Sequence, residues 1–236
     1  MDTTLTVIKS IGAPGSVSLL LVCIGIGFLF RYAWPRRPAL ARRWVISVTM
    51  IYLALAWPPI ADGISRLLPD VPKAVSPSAP GRVDLLVVFD GDNRRARARA
   101  GIAVNTAARP RAIWVLGNGW LIEPMSEAGV PRDRIWHDAD MATTRDQMVR
   151  LTRLVADAGP SARLGVIVSR FQAPRVAGLL EAQQLDVALI ASPSDRESPA
   201  SGITRLIPTY TALRNSREAL YEVAAVWYYR WRGWIA

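Results

Sequence analysis

Two long apolar runs near the amino terminus decide most of what this chain can become. Ile11 to Phe30 contains no charged residue, and neither does Trp44 to Ala61. A helix crossing the hydrocarbon core of a bilayer needs about 20 predominantly apolar residues, so both runs are predicted to be transmembrane helices. Between them lie Arg31, Arg36, Arg37, Arg42 and Arg43. Short arginine-rich loops stay in the cytoplasm, which places both chain ends on the outer side, in a periplasm or its equivalent. Tyr32, Trp34, Trp44 and Trp57 fall near the run ends, where amphipathic rings favour the membrane interface. The expectation is a two-pass inner-membrane protein of bacterial type. Two alternatives remain open. Ala39-Leu40-Ala41 has the form of a signal-peptidase site, although it follows three arginines and a second apolar run comes after it. The second run could instead be a buried core helix, which Pro58-Pro59 would end as readily as a membrane helix.

The chain carries 29 basic and 19 acidic residues, a net charge of +10, and lysine occurs only at Lys9 and Lys73. From Val71 onward the count is 22 basic to 16 acidic. That balance suits an anionic ligand or a membrane surface. Zinc-finger spacing, a basic region with heptads and an RNP-like motif are all missing, so nucleic acid is not an expected partner. Cys23 is the single cysteine, which excludes an internal disulfide. His137 is the single histidine. A multi-histidine metal site is therefore impossible, and a Ser-His-Asp triad would have to use His137. No metal or cofactor is expected.

Residues 1–67 read as the membrane anchor, and Leu68–Gly81, rich in proline and small residues, as a linker. Residues 82–236 read as one domain ending in an aromatic helix. Asp84–Phe89 is a short apolar run of the kind expected of a strand buried on both faces, and Ala112–Leu116, Ile135–His137, Leu164–Ser169 and Asp186–Ile190 are predicted as the further strands. Helices are predicted over Arg94–Thr106, Thr144–Ala158 with Thr144 as N-cap, and Pro174–Gln184. Pro208–Arg230 is predicted as a long helix running into the ending WYYRWRGWIA, whose aromatics and arginines suit a bilayer surface or packing on the domain. Alternating strands and helices give a Rossmann-like, mostly parallel α/β sheet, with ligands expected at the carboxyl ends of its strands.

The order of the motifs resembles the YdcF/SanA/ElyC family of bacterial envelope proteins, and most closely its ElyC-like branch. That branch has two N-terminal spans and an outward-facing domain. Its first strand runs into a glycine-rich turn, an arginine and a helix, matched here by DLLVVFDGDNRRARARAG. Its second strand ends in a Ser-Gly-Gly type turn, matched by WVLGNG, and its Thr-x-Glu-Asn helix start by TTRDQM. Its Ser-x-x-His-x-x-Arg motif is matched by SRFQAPR, and its aromatic ending by EVAAVWYYRWRGWI. There are departures. Asp90 and Asp92 replace glycines of the first turn, Asp146-Gln147 replaces Glu-Asn, and Gln172 replaces the family histidine. An imidazole that exchanges protons thus becomes an amide that does not.

Candidate ligand-binding residues follow from the strand ends and from these motifs. Gly91 could let backbone amides cradle an anion, and Arg95 offers a nearby cation. Asp90 and Asp92 could instead hold a divalent cation that bridges to phosphate. Gly117, Asn118 and Gly119 permit close ligand approach. Thr144 and Gln147 start a helix, and Ser169, Arg170, Gln172 and Arg175 form the turn after the fourth strand. Arginine's fork suits phosphate or carboxylate, and Arg175, matching the family arginine, is the first choice. Asp146 and Asp138 are the candidate catalytic bases. Trp120 and Trp136 could line an apolar groove, or pack in the core.

The resemblance implies a factor in peptidoglycan or surface-polysaccharide assembly, binding an anionic, lipid-linked phosphate intermediate and working with envelope-assembly proteins. The alternatives are a hydrolase or transferase acting on a phosphate ester, and a nucleotide or S-adenosylmethionine binder.

Overall fold

The computed structural model describes residues 16–71, 74–91, 93–141, 143–193 and 205–236. The chain divides into two compact units. One comprises Met1–Leu68 and Ser198–Ala225, the other Pro69–Glu197 and Val226–Ala236.

The first unit is helical. Helix α1 spans Val17–Ala33 and is capped by Ser16, whose side chain accepts from the Leu19 amide at 3.1 Å. The opening of the first predicted span, residues 11–15, lies outside the described residues. Helix α2 spans Pro38–Leu55 and α3 spans Pro58–Ser65. The second apolar run is thus not one helix from Trp44 to Ala61. The helix starts six residues earlier and stops before Pro58-Pro59, which open α3 at its first two positions. Proline lacks the N–H and clashes with the carbonyl four residues back, so it ends one helix and starts the next. Among the described residues, α2 alone is long and apolar enough to cross a bilayer, while the apolar α1 has 17 residues.

Helices α1 and α2 pack closely because Gly27 has no side chain. A Cβ there would sit 2.6 Å from Val45 Cγ2. Trp44 Nε1 donates to the Cys23 carbonyl at 2.7 Å, and the Tyr52 hydroxyl to that of Ser16 at 3.0 Å. The last carbonyls of α2 find partners outside the helix. Leu55 O accepts from the Ser216 hydroxyl at 2.7 Å, and Ala56 O from the Thr209 amide at 2.7 Å. These bonds satisfy acceptors that a helix end leaves open.

The second unit is the expected α/β fold. Strands β1 (Leu85–Phe89), β2 (Ala112–Leu116), β3 (Ile135–Asp138), β4 (Leu164–Ser169) and β5 (Val187–Ser192) form one sheet, ordered β3-β2-β1-β4-β5. Every pairing is parallel. Flanking helices are α4 (Arg94–Ala108), α5 (Ile122–Glu127), α6 (Thr144–Ala158) and α7 (Ala173–Ala182); of the last helix, α8 (Tyr210–Trp231), only the part from Val226 onward belongs to this unit. The short α5 and a 3₁₀ turn at Arg132–Arg134 have no counterpart in the sequence expectation. Six residues carry too little periodicity to announce a helix. The linker is tied to the sheet edge, for Val75 bridges Ile190 in parallel and its amide donates to Leu189 O at 2.8 Å.

Alternate residues of β1 serve opposite cores. Val87 and Phe89 join Met148, Leu151, Val166 and Val176 on one face, and Leu86 and Val88 join Val104, Ile113, Val115 and Met125 on the other. That is the period of two expected of a strand buried on both sides. Tyr229 and Ile235, near the chain end, belong to the first core.

At the amino edge, Asp84 Oδ2 accepts from the Arg163 amide at 2.9 Å, and Arg82 Nε lies 3.3 Å from Oδ1. The Arg163 amide, followed by Arg82, holds the Asp84 carboxyl below its ordinary pKa.

Candidate functional site at the carboxyl edge of the sheet

The strand order reverses beside β1, with β2 on one side and β4 on the other. Open α/β sheets bind ligands outside the carboxyl ends of their strands at such a point. Most of the turns singled out from the sequence end there.

At the centre is Arg97, which is only 2% exposed. Its Nη1 donates to the Phe89 carbonyl at the end of β1, and its Nη2 donates to Gln172 Oε1 at 3.1 Å. Gln172 Nε2 donates onward to Thr144 Oγ1 at 3.0 Å, and the Gln172 amide to Ser169 Oγ at 3.3 Å. Gln147 Nε2 donates to Leu116 O at 2.9 Å and Asp90 O at 3.3 Å, bracing β1 and β2 together. Asp90, Thr144, Gln147, Ser169 and Gln172 are all buried. A buried polar network of this kind fixes one geometry when its members are satisfied.

The turn after β2 is held on two sides. Asp90 Oδ2 accepts from the Asn118 amide at 2.9 Å, and His137 Nε2 meets Gly117 O at 2.6 Å. Gly117 has φ +130°, and a Cβ there would lie 2.4 Å from that of Asp90. Gly119 abuts the His137 ring. Asn118 itself is exposed. Gly91 is exposed as well, and a Cβ on it would meet Arg97 Nη2 at 2.9 Å.

Other candidates stand elsewhere. Asp146 closes a capping box, with Oδ2 accepting from the Thr143 amide and hydroxyl at 2.9 and 2.8 Å. Thr143, not Thr144, is therefore the N-cap of α6, which frees the Thr144 hydroxyl for Gln172. Asp138 accepts from Arg150 Nε at 2.8 Å, and Arg150 also lies over Trp114 at 4.7 Å. Arg175 is buried and reaches the Tyr229 hydroxyl at 3.4 Å, with its guanidinium 5.2 Å from that ring. Its fork is engaged with the chain's own aromatic ending. Arg95 and Arg170 are exposed. Asp92 lies outside the described residues. Trp136 stacks on Trp114 at 5.7 Å yet is exposed, as is Trp120, so neither packs in the core as the alternative had it.

Sequence reasoning passed over Arg97 in favour of Arg95. A signal existed: Arg97 shares its helix face with Ala100, Gly101 and Val104, all buried. Among the described residues no group of three or more His, Cys, Asp or Glu could hold a metal ion. Comparison of the chain with protein-family models, with curated proteins and with solved structures gave no match.

Proposed function

We propose that this chain is a membrane-anchored envelope factor of the YdcF/ElyC-like type, whose α/β unit faces outward and binds an anionic, lipid-linked phosphate intermediate of cell-wall or surface-polysaccharide assembly. The observation that carries the reading is the convergence of the motif turns. Thr144 and the Ser169–Gln172 turn join Arg97 through Gln172, Gly91 abuts the Arg97 guanidinium, and Asn118 and Gln147 both hydrogen-bond Asp90, all at the switch in strand order. Exposed Arg94, first residue of α4, and exposed Arg170, just beyond β4, stand at this edge as cations able to take phosphate oxygens.

Binding is favoured over hydrolysis or group transfer because the candidate bases are occupied. Asp146 caps a helix and Asp138 is paired with Arg150. Gln172, in the place of the resembling family's histidine, is an amide that does not move protons. A nucleotide or S-adenosylmethionine ligand fits an outward-facing domain less well. The function is tested by native mass spectrometry of the full chain in mild detergent. The wild type is expected to carry a polyprenyl-phosphate-like mass that the double variant Arg94→Ala, Arg170→Ala loses. A wild type that carries no such mass refutes the lipid-phosphate reading.

The two-pass anchor is part of the proposal. Val17, Leu21, Phe28 and Leu29 of α1, with Ile46 and Met50 of α2, are exposed, an apolar band suited to lipid. The arginine-rich loop between the helices assigns the cytoplasmic side. Alkaline phosphatase fused after Ala236 should therefore be active, and a fluorescent protein fused there dark. The reverse pattern places the α/β unit in the cytoplasm and revives the nucleotide reading.

A further inference from the structure

The carboxylate of Asp90 is the unusual feature of this edge. The residue is 9% exposed. One of its oxygens, Oδ2, accepts from the Asn118 amide, while Oδ1 is shut from solvent and has no hydrogen-bond partner among the described residues. A buried acceptor left open is costly, and more so when it belongs to a charged group. A carboxylate oxygen forms stronger hydrogen bonds than a neutral acceptor does, so an empty one at a strand end is a place for a ligand's donor.

The surroundings select the donor. A metal ion needs several hard oxygens, and no cluster of three acids stands here among the described residues. A cationic group would have Arg97 for a neighbour, whose guanidinium contacts both Phe89 O and the position of a Gly91 Cβ. A phosphate oxygen would be repelled by the carboxylate. A hydroxyl meets neither objection, because it is neutral and it donates. Its own oxygen can also accept from the exposed side-chain amide of Asn118. Two residues further along, Trp120 is 61% exposed, with Arg94 5.0 Å from its ring centroid. An exposed indole gives the apolar face of a sugar ring something flat to lie on. Oδ1 is shut from solvent, so a hydroxyl reaches it only when the atoms now covering it move aside.

We infer that Asp90 reads a hydroxyl of a glycosyl group carried on the ligand's phosphate, with Trp120 against the sugar ring and Arg94 beside it for the phosphate. This rests on the phosphate reading above and adds the sugar to it. The test is calorimetric titration of the full chain in mild detergent with glucose 1-phosphate and, separately, inorganic phosphate. The wild type should bind the sugar phosphate at least about tenfold more tightly than phosphate alone, the size of one charge-assisted hydrogen bond. Asp90→Asn keeps an oxygen for the Asn118 amide and should remove that preference without weakening phosphate binding, because it also takes away a negative charge that repels the anion. Trp120→Ala, at an exposed position that does not endanger folding, should cut sugar-phosphate affinity severalfold more than phosphate affinity, since both ligands lose the ring that Arg94 lies over and only the sugar loses its own platform. Equal affinity of the wild type for the two probes, or a preference that survives Asp90→Asn, overturns the sugar assignment and leaves the phosphate reading standing. Failure of the wild type to bind either probe overturns both.

Discussion

Replacing Arg97 by methionine should lower the unfolding temperature of the full chain in detergent by on the order of 10 °C. Arg97 is inside the fold, and its two terminal nitrogens serve the Phe89 carbonyl and Gln172 Oε1. Methionine fills similar space and supplies no donor. Two buried acceptors then lose their hydrogen bonds, and Gln172 loses the partner that orients its amide toward Thr144. Each buried group left unsatisfied costs about 1–3 kcal/mol, and two such acceptors are left here. For a chain of this length each kcal/mol moves the midpoint by about 2–4 °C. Arg97→Lys should fall in between, because an ammonium cannot span both acceptors as the guanidinium fork does. Arg95→Met, two residues away on the exposed side of α4, should change the midpoint by no more than a degree or two. Thermal unfolding followed by circular dichroism separates the three. An Arg97→Met midpoint equal to that of Arg95→Met would show that the buried network contributes nothing to the fold.

Arg97 also marks where sequence reasoning stops. The strands are legible because most of them are short apolar runs bounded by turns, and their alternation with helices leaves few topologies, although β3 is polar at its end and half exposed. Leu164–Ser169 and Ala112–Leu116 stand where the sequence puts them. The glycine and proline punctuation also located the carboxyl-edge turns. The partners of each polar side chain were not legible. Arg94, Arg95, Arg97 and Arg99 are alike in chemistry; the small and apolar face that Arg97 shares with Ala100, Gly101 and Val104 marks it as the inward one but does not name its partners, while Arg94, Arg95 and Arg99 stay exposed. Arg175 looked like the anion-binding fork, yet Tyr229, 54 residues further on, takes it up. Thr143 and Thr144 are adjacent and chemically alike. The capping geometry of α6 gives the first to the helix and the second to Gln172. In each case the deciding contact is distant in sequence, or depends on one helical residue of register, which a periodic pattern does not specify.

Gly117→Ala should be the most damaging single methyl group in the α/β unit, and Asp90 should be the reason. Gly117 has φ +130°, and the added Cβ would lie 2.4 Å from the Asp90 Cβ and 3.0 Å from Oδ2. Backbone strain of this kind costs about 1–3 kcal/mol. The clash adds to it, because Asp90 cannot retreat without releasing the Asn118 amide. Gly117 is itself pinned by its amide bond to Asp138 O at 2.9 Å and by His137 at its carbonyl, so the turn has little room to yield. Gly129→Ala is the comparison. It too has positive φ, +89°, but an added Cβ there meets nothing within 4 Å, and strain alone should cost about 1–2 kcal/mol. The two effects separate in a double-mutant cycle with Asp90→Gly, which removes the obstructing side chain. Gly117→Ala should then cost about as much as Gly129→Ala, giving a coupling of about 1–3 kcal/mol between positions 90 and 117. Additive effects in that cycle would mean that the methyl group and the aspartate do not compete for space. The carboxylate would then not be what shapes the turn at the proposed ligand edge.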